Sequence, residues 1–346
     1  MSGKRRIISR NLPEEIMEEI LHNLPIKSLL RFKCVSKSWL FTISSKAFIK
    51  EHLKRSIAED EEKRGLTDLT NHKLIFKYES SDRRTNAPLS YNLGSCCLVN
   101  KPEITPTLNI DIPMPTPNAC LVNIMGSCNG LILIKFRKLI LWNPSTRKHM
   151  VIPSPSFDPI PQQDLFHVRL YRIRYGLGYD EANDDYKVVS IRQSDYQQPH
   201  LQTKVYSSKT DSWKEIECSN FKHCFQSTHY GEYVNGRLHW LAECNKNRGN
   251  PDIISFDFKE ENINEYSSGP VSLVELGGYL GLMNITSDAD VNVWVMKEYG
   301  ARESWTRVWT SSDFGVDQLG DRSLCRGRCA RPLCWRKNGD MLVAFG

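Results

Sequence analysis

Asn11–Trp39, reading NLPEEIMEEILHNLPIKSLLRFKCVSKSW, is the stretch around which the chain is organised. Leu12-Pro13 opens a helix expected to run to about Leu24. Proline suits the first helical position, and Glu14, Glu15, Glu18 and Glu19 favour the N-terminal half of the dipole. Ile16, Ile20, Leu21 and Leu24 recur at helical spacing and give it one apolar face. Pro25 stops that helix and starts a second, whose apolar positions are Leu29, Leu30, Cys34 and Val35. A third short helix carries Trp39, Leu40 and Ile43. Three short helices cannot bury so many large side chains among themselves. Each contributes about 1.5–3 kcal/mol when fully buried, so the surplus needs a partner: the rest of the chain, or another protein.

Around this stretch lie 346 residues, 40% apolar and 25% charged, enough for a sizeable core. Residues 1–55 hold 12 lysines and arginines against 5 acids, while the remaining residues hold 34 against 35. So neutral a body argues against a nucleic-acid surface spread across it. No uninterrupted apolar run reaches the length of a membrane-spanning helix. The basic start MSGKRRIISRN is followed by no apolar run of the kind a secretory signal has. Lys4, Arg5 and Arg6 give only a faint hint of nuclear import. The cysteines number 11, are irregularly spaced, and include Cys97, Cys120 and Cys128 inside apolar runs, as free thiols of a reducing compartment do. A cytoplasmic or nuclear location is therefore expected, and the sequon at Asn284–Thr286 has no bearing.

Ala47 to about Glu62 reads as a fourth helix with Phe48, Ile49, Leu53 and Ile57 on its inner side. From His72 onward the pattern is of short strands and turns. Gly126-Ser127-Cys128-Asn129-Gly130 precedes Leu131–Ile134. Leu139–Trp142 ends in the turn Asn143-Pro144-Ser145-Thr146. The same order recurs around Gly176–Asp180, Asn235-Gly236 and Asn338-Gly339. Outer hairpin turns at Asn143, Ser207, Asp257 and Lys297 are 64, 50 and 40 residues apart, a period that suits propeller blades. Turn duty is expected for Gly126, Gly130, Gly176 and Gly178, and an inter-blade core place for Trp142, Trp213, Trp240 and Trp294. Met341–Phe345 follows its Asn-Gly turn with no further strands, so the last unit reads as incomplete.

Two resemblances attach to these residues. Leu12-Pro13, Leu21, Leu24-Pro25, Leu29 and the run Cys34–Trp39 resemble a plant F-box, over about residues 10–55. GSCNGLILI, LWNPSTRK, GLGYDEANDDYKVV, VYSSKTDSW and VNGRLHWLA resemble the F-box-associated interaction domain (type 1, kelch-like) over about 95–345, as in immune-regulating and S-locus F-box proteins. The resemblance implies an α+β multidomain chain: a three-helix F-box at 10–55, a charged helical linker at 56–71, and an all-β, propeller-like substrate-recognition domain at 72–346. It implies docking on a SKP-type adaptor, and through it on cullin and a RING protein. Leu12, Pro13, Ile16, Ile20, Leu21, Leu24, Pro25, Leu29, Leu30, Cys34, Val35 and Trp39 are then the adaptor-binding residues. The implied role is the substrate receptor of an SCF ubiquitin ligase that directs a target protein to degradation. The alternative is a scaffold or decoy that holds the adaptor without promoting ubiquitylation.

Other motifs are weaker. Asp180, Glu181, Asp184 and Asp185 fail the spacing of a calcium loop and read as a solvated turn. Cys325, Cys329 and Cys334 lack a fourth zinc ligand. His223, Cys224 and His229 lack the orienting and oxyanion groups of a nucleophilic site. No catalytic residue, cofactor, metal, nucleic-acid or membrane partner is expected. Arg322, Arg326, Arg328 and Arg331, with Arg336 and Lys337, have no acid among them. They form either a solvated basic loop or a surface for an acidic or phosphorylated target.

Overall fold

A computed structural model describes residues 12–62, 73–80, 90–97, 108–109, 123–157, 173–194, 200–217, 223–225, 230–244, 251–259, 262–267, 272–285, 291–310, 330–335 and 341–345. The chain divides into two compact units, Met1–Lys63 and Arg64–Gly346.

The first unit holds four helices: α1 (Glu14–His22), α2 (Ile26–Phe32), α3 (Lys37–Ser44) and α4 (Lys46–Glu62). Pro13 and Pro25 stand just before α1 and α2 in extended conformation, which ends the preceding chain, and proline has no amide hydrogen of its own to satisfy there. Ser36 and Ser45 cap the other two: their hydroxyls accept from the backbone N–H of Trp39 and Phe48, each at 3.1 Å. Each helix gives one side chain to the core: Leu21, Leu29, Ile43 and Phe48. Leu24, Phe32 and Trp39 pack half-buried around them. The fourth helix is thus part of the bundle, and it runs to Glu62 as expected. Ile49, expected to face inward, is exposed. Cys34 and Val35, expected within the second helix, lie beyond its end in the turn before α3.

The second unit is built of antiparallel sheets. The first is β1 (Lys73–Ser80), β2 (Ser90–Cys97) and β3 (Leu108–Asn109). Four larger sheets follow. They comprise β4 (Asn123–Cys128), β5 (Leu131–Lys135), β6 (Leu139–Asn143) and β7 (Lys148–Ile152); then β8 (Ile173–Asp180), β9 (Asp185–Ser194), β10 (His200–Ser207) and β11 (Ser212–Ile216). Next are β12 (His223–Phe225), β13 (Glu232–Val234), β14 (Arg237–Cys244), β15 (Pro251–Asp257) and β16 (Asn262–Ser267). The last of the four is β17 (Ser272–Leu276), β18 (Tyr279–Ile285), β19 (Val291–Met296) and β20 (Trp305–Thr310), after which β21 (Ala330–Trp335) pairs with β22 (Met341–Phe345). The marker turns at Asn143, Ser207, Asp257 and Lys297 all fall in the outermost hairpin of a sheet, as the propeller reading requires.

Turn chemistry explains why the meander repeats. Three inner hairpins close on two left-handed residues: Asn129-Gly130, Asn235-Gly236 and Gly277-Gly278. That pair of conformations follows the twist of the flanking strands. In the outer hairpins the last strand residue caps its own loop. Asn143 Oδ1 accepts from the backbone of Ser145 and Thr146, both at 3.0 Å. Ser207 Oγ accepts from Thr210 N at 3.3 Å, and Asp257 Oδ1 from Lys259 N at 2.7 Å.

The sheets pack face to face in chain order. One cluster joins Leu133, Leu139 and Leu141 to Tyr175, Leu177 and Tyr206, across the first two large sheets. A second joins Val189 and Val205 to Leu238, Trp240 and Phe256. A third joins Leu241 and Ile253 to Leu273, Leu280 and Leu282. Successive residues such as Trp240 and Leu241 serve opposite faces, so one strand fills two cores. Trp142 and Trp240 are buried as expected, whereas Trp213 and Trp294 are only half-buried. Turn duty holds for Gly130 alone of the four glycines. Gly126, Gly176 and Gly178 lie inside β4 and β8, where neighbouring sheets approach the backbone. Gly231 N donates to Tyr175 O at 2.8 Å beside a parallel bridge from Tyr175 to Tyr230, so the main chain itself makes that junction.

Candidate functional site

Exposed apolar side chains are unevenly shared. Among the described residues, Leu12, Ile16, Ile20, Ile26, Val35, Leu40, Phe41 and Ile49 of the helical unit are large, apolar and exposed, against Val151 alone in the β unit. A soluble bundle this small gains nothing from leaving Phe41 79% and Val35 59% accessible. Such a surface marks a docking site.

The site has two parts. Leu12, just before α1, and Ile16 and Ile20 along it recur every fourth residue, flanked by Glu14, Glu15, Glu18 and Glu19. Arg55 on α4 bonds Glu19 at 2.7 Å and Glu51 at 3.1 Å, tying α1 to α4. The Arg55 hydrogen bond holds the Glu19 carboxyl below its usual range despite a small opposing effect of burial. Beside it, His22 stacks on Phe48 with centroids 4.2 Å apart, and burial holds its pKa below the ordinary histidine value. The second part runs from the α2–α3 turn along α3. Cys34 and Val35 are exposed there, and Lys37, Leu40, Phe41, Ser44 and Ser45 line an open depression. Residues 26–50 carry Lys27, Arg31, Lys33, Lys37, Lys46 and Lys50 with no acid between them. Trp39 joins the parts from below: its indole Nε1 donates to Met17 Sδ at 3.2 Å, and its ring meets Phe32 edge-on at 5.4 Å.

Of the twelve residues expected at the adaptor, Leu12, Pro13, Ile16, Ile20, Pro25, Cys34 and Val35 are exposed. Leu24, Leu30 and Trp39 are half-buried. Leu21 and Leu29, 2% and 5% exposed, are core residues and have no free surface to offer a partner. Ile26, Leu40, Phe41 and Ile49 were not anticipated. For one of them the signal was available: with Ile43 inward, Phe41 two residues earlier falls on the opposite side of a helix.

The β unit assembles less of what was expected. Arg322, Arg326 and Arg328 lie outside the described residues, and Arg331 is placed only by its register opposite Ala344. Cys325, Cys329 and His229 also lie outside them. The acidic turn is solvated at Glu181–Asp184, as expected, while the aspartates that flank it are structural. Asp180 and Asp185 are buried; Asp180 pairs with Lys187 at 2.8 Å, and Asp185 accepts from Ser208 Oγ at 2.8 Å and Lys209 N at 3.1 Å. Burial pushes the Asp180 pKa up, and the hydrogen bonds from Lys187 and Asn183 outweigh it, leaving it lowered. Among the described residues no group of three or more His, Cys, Asp or Glu is placed to hold a metal ion, and no helix is long and apolar enough to cross a membrane.

Comparison with known proteins supplies the context. Residues 10–51 match the F-box domain, and residues 83–323 match the F-box associated beta propeller domain. The family expectation holds, with FBA_3 as the form matched. The F-box/kelch-repeat protein At3g23880 of Arabidopsis thaliana is 30% identical over 86% of this chain and 79% of its own length. The Arabidopsis F-box protein CPR1 is 29% identical over 86% of this chain and 72% of its own. TolB from Acinetobacter baumannii, a solved structure, covers 72% of this chain and 56% of itself at 11% identity with a TM-score of 0.38, and carries no argument. F-box proteins serve in general as non-catalytic, substrate-recognising subunits of SCF ligases, and with helices that expose their apolar surface followed by blade-like sheets, this chain belongs to the plant F-box proteins that carry an F-box associated β-propeller domain.

Proposed function

We propose that this chain is the substrate-recognition subunit of an SCF-type ubiquitin ligase acting in the cytoplasm or nucleus. The helical unit docks on a SKP-type adaptor, and through it on cullin and the RING protein. The β unit binds a target protein. The observation that carries this reading is the concentration of exposed apolar side chains on α1, the α2–α3 turn and α3. The chain makes no bond itself. It raises the effective concentration of a target lysine near the charged conjugating enzyme. Arg331 and the arginines before it are the proposed contact to an acidic target.

Reconstitution of the full chain with adaptor, cullin and RING protein tests it. Wild-type protein should bring down adaptor and cullin together. Ile16→Ala with Ile20→Ala should weaken adaptor binding at least tenfold, as loss of interface anchors does, without changing the melt of the bundle. Capture of the adaptor without cullin would identify a decoy instead. Unchanged binding by the double variant would remove α1 from the interface.

A further inference from the structure

We propose that Ser36 is a phosphorylation site for a basophilic serine kinase, and that phosphate there switches adaptor docking off while leaving the fold intact. This rests on the docking reading above and concerns its regulation.

Four observations converge on Ser36. It is exposed, and its backbone is extended (φ −156°, ψ 164°) in the joint between α2 and α3, the conformation in which a kinase cleft takes a peptide. Arg31 and Lys33 stand five and three residues before it and Lys37 follows, with no acid anywhere in residues 26–50. Kinases choose substrates by such charge patterns. The neighbouring Val35 and Cys34 belong to the exposed apolar surface, so a group added to Ser36 Oγ lands on the docking face. Finally, Ser36 Oγ already accepts the Trp39 N–H at 3.1 Å. A phosphate oxygen fills the same role at the positive end of the helix dipole, so α3 and its Trp39 contacts to Met17 and Phe32 persist.

In the reaction Ser36 Oγ forms a bond to the γ-phosphorus of ATP, the bond between that phosphorus and the β–γ bridging oxygen breaks, ADP leaves, and the hydroxyl proton passes to the kinase base. The product places nearly two negative charges among Arg31, Lys33 and Lys37. A cationic, apolar surface complementary to an acidic partner becomes hydrated and loses more than half of its local positive charge. Docking then loses apolar burial and charge complementarity together.

The full-length chain separates this from a structural role of the cap. ATP and the catalytic subunit of cyclic-AMP-dependent protein kinase, as the basophilic probe, should phosphorylate Ser36, read by mass spectrometry. Arg31→Ala with Lys33→Ala should lower incorporation at least tenfold. Ser36→Asp and Ser36→Asn both retain a good N-cap and differ by one charge. The Asp variant and the phosphorylated protein should bind the adaptor at least tenfold more weakly than the Asn variant, with the bundle melting unchanged. Absence of phosphate at Ser36 overturns the proposal, as does equal binding by the Asp and Asn variants when wild type binds. Wild-type chain that fails to bind the adaptor sinks the docking reading itself, and this switch with it.

Discussion

A Cβ built on Gly178 would lie 2.2 Å from Phe258 and 2.7 Å from Tyr233, whereas one on Gly236, at φ +74°, would meet nothing within 4 Å. The two glycines are thus required for different reasons. Gly178→Ala should destabilise the β unit by overpacking, about 1–3 kcal/mol. Gly236→Ala should cost about 1 kcal/mol through left-handed backbone alone. Phe258→Leu should relieve the first and not the second, which a double-mutant cycle in urea would read. His239 is a second residue with a defined signature. Because Glu232 O can only accept, its contact at 3.2 Å places the proton on Nδ1, leaving Nε2 to accept from the Tyr299 hydroxyl at 2.7 Å. Burial lowers the His239 pKa to about 4, below the roughly 6.5 of an unfolded histidine. Between those values only the unfolded chain takes the proton. The contribution to stability is therefore full above about pH 6.5 and is lost as pH falls towards 4, by about 3 kcal/mol. Unfolding at pH 7.5 and pH 5 should show about 2 kcal/mol of that loss in wild type and a smaller one in His239→Gln.

Helix α1 shows what was legible in the sequence and what was not. Its position followed from Pro13, the four glutamates and the apolar period. Its orientation did not. At about 100° per residue, Ile16, Ile20 and Leu21 fan out in that order over about 140° of the circumference. Exposure falls along the fan, from Ile16 and Ile20 outside to buried Leu21. A helix with a core on one side and a partner on the other has one continuous apolar arc, and periodicity cannot say where along it the core stops. Leu21→Ala should remove core packing worth about 2–5 kcal/mol and melt the bundle, losing adaptor binding through the fold. Circular dichroism of the helical unit would separate that from Ile16→Ala, which should leave helicity intact. Strands were legible for a related reason: short apolar runs such as Leu131–Ile134 and Leu139–Trp142 are bounded by Asn-Gly or a capped turn. The roles of Gly176 and Gly178 were not, because they depend on Leu238, Trp240 and Phe258 from the next sheet along.

At the scale of the molecule, among the described residues, the core cluster of the helices contains only residues before 49, while the clusters of the β unit contain only residues after 124. Calorimetry should accordingly give two transitions, with Leu21→Ala abolishing one and sparing the other; a single cooperative peak would contradict it. The outer hairpins carry a further consequence, for descent rather than stability. The reversal at 144–147 is held from within the loop, by Asn143 and by Thr146 Oγ1, which accepts from Lys148 N at 3.4 Å, with Arg147 in a left-handed turn (φ 59°). The corresponding loop at 208–211 is also held by Asp185 through Ser208 and Lys209, and by Tyr206 through Asp211 at 2.6 Å. Among lineages pressed to recognise new targets, the first loop can drift while the second is bound to covary with the strands beneath it. Aligned orthologues should therefore scatter at Pro144 and Ser145, and change Asp185 and Ser208 together or not at all.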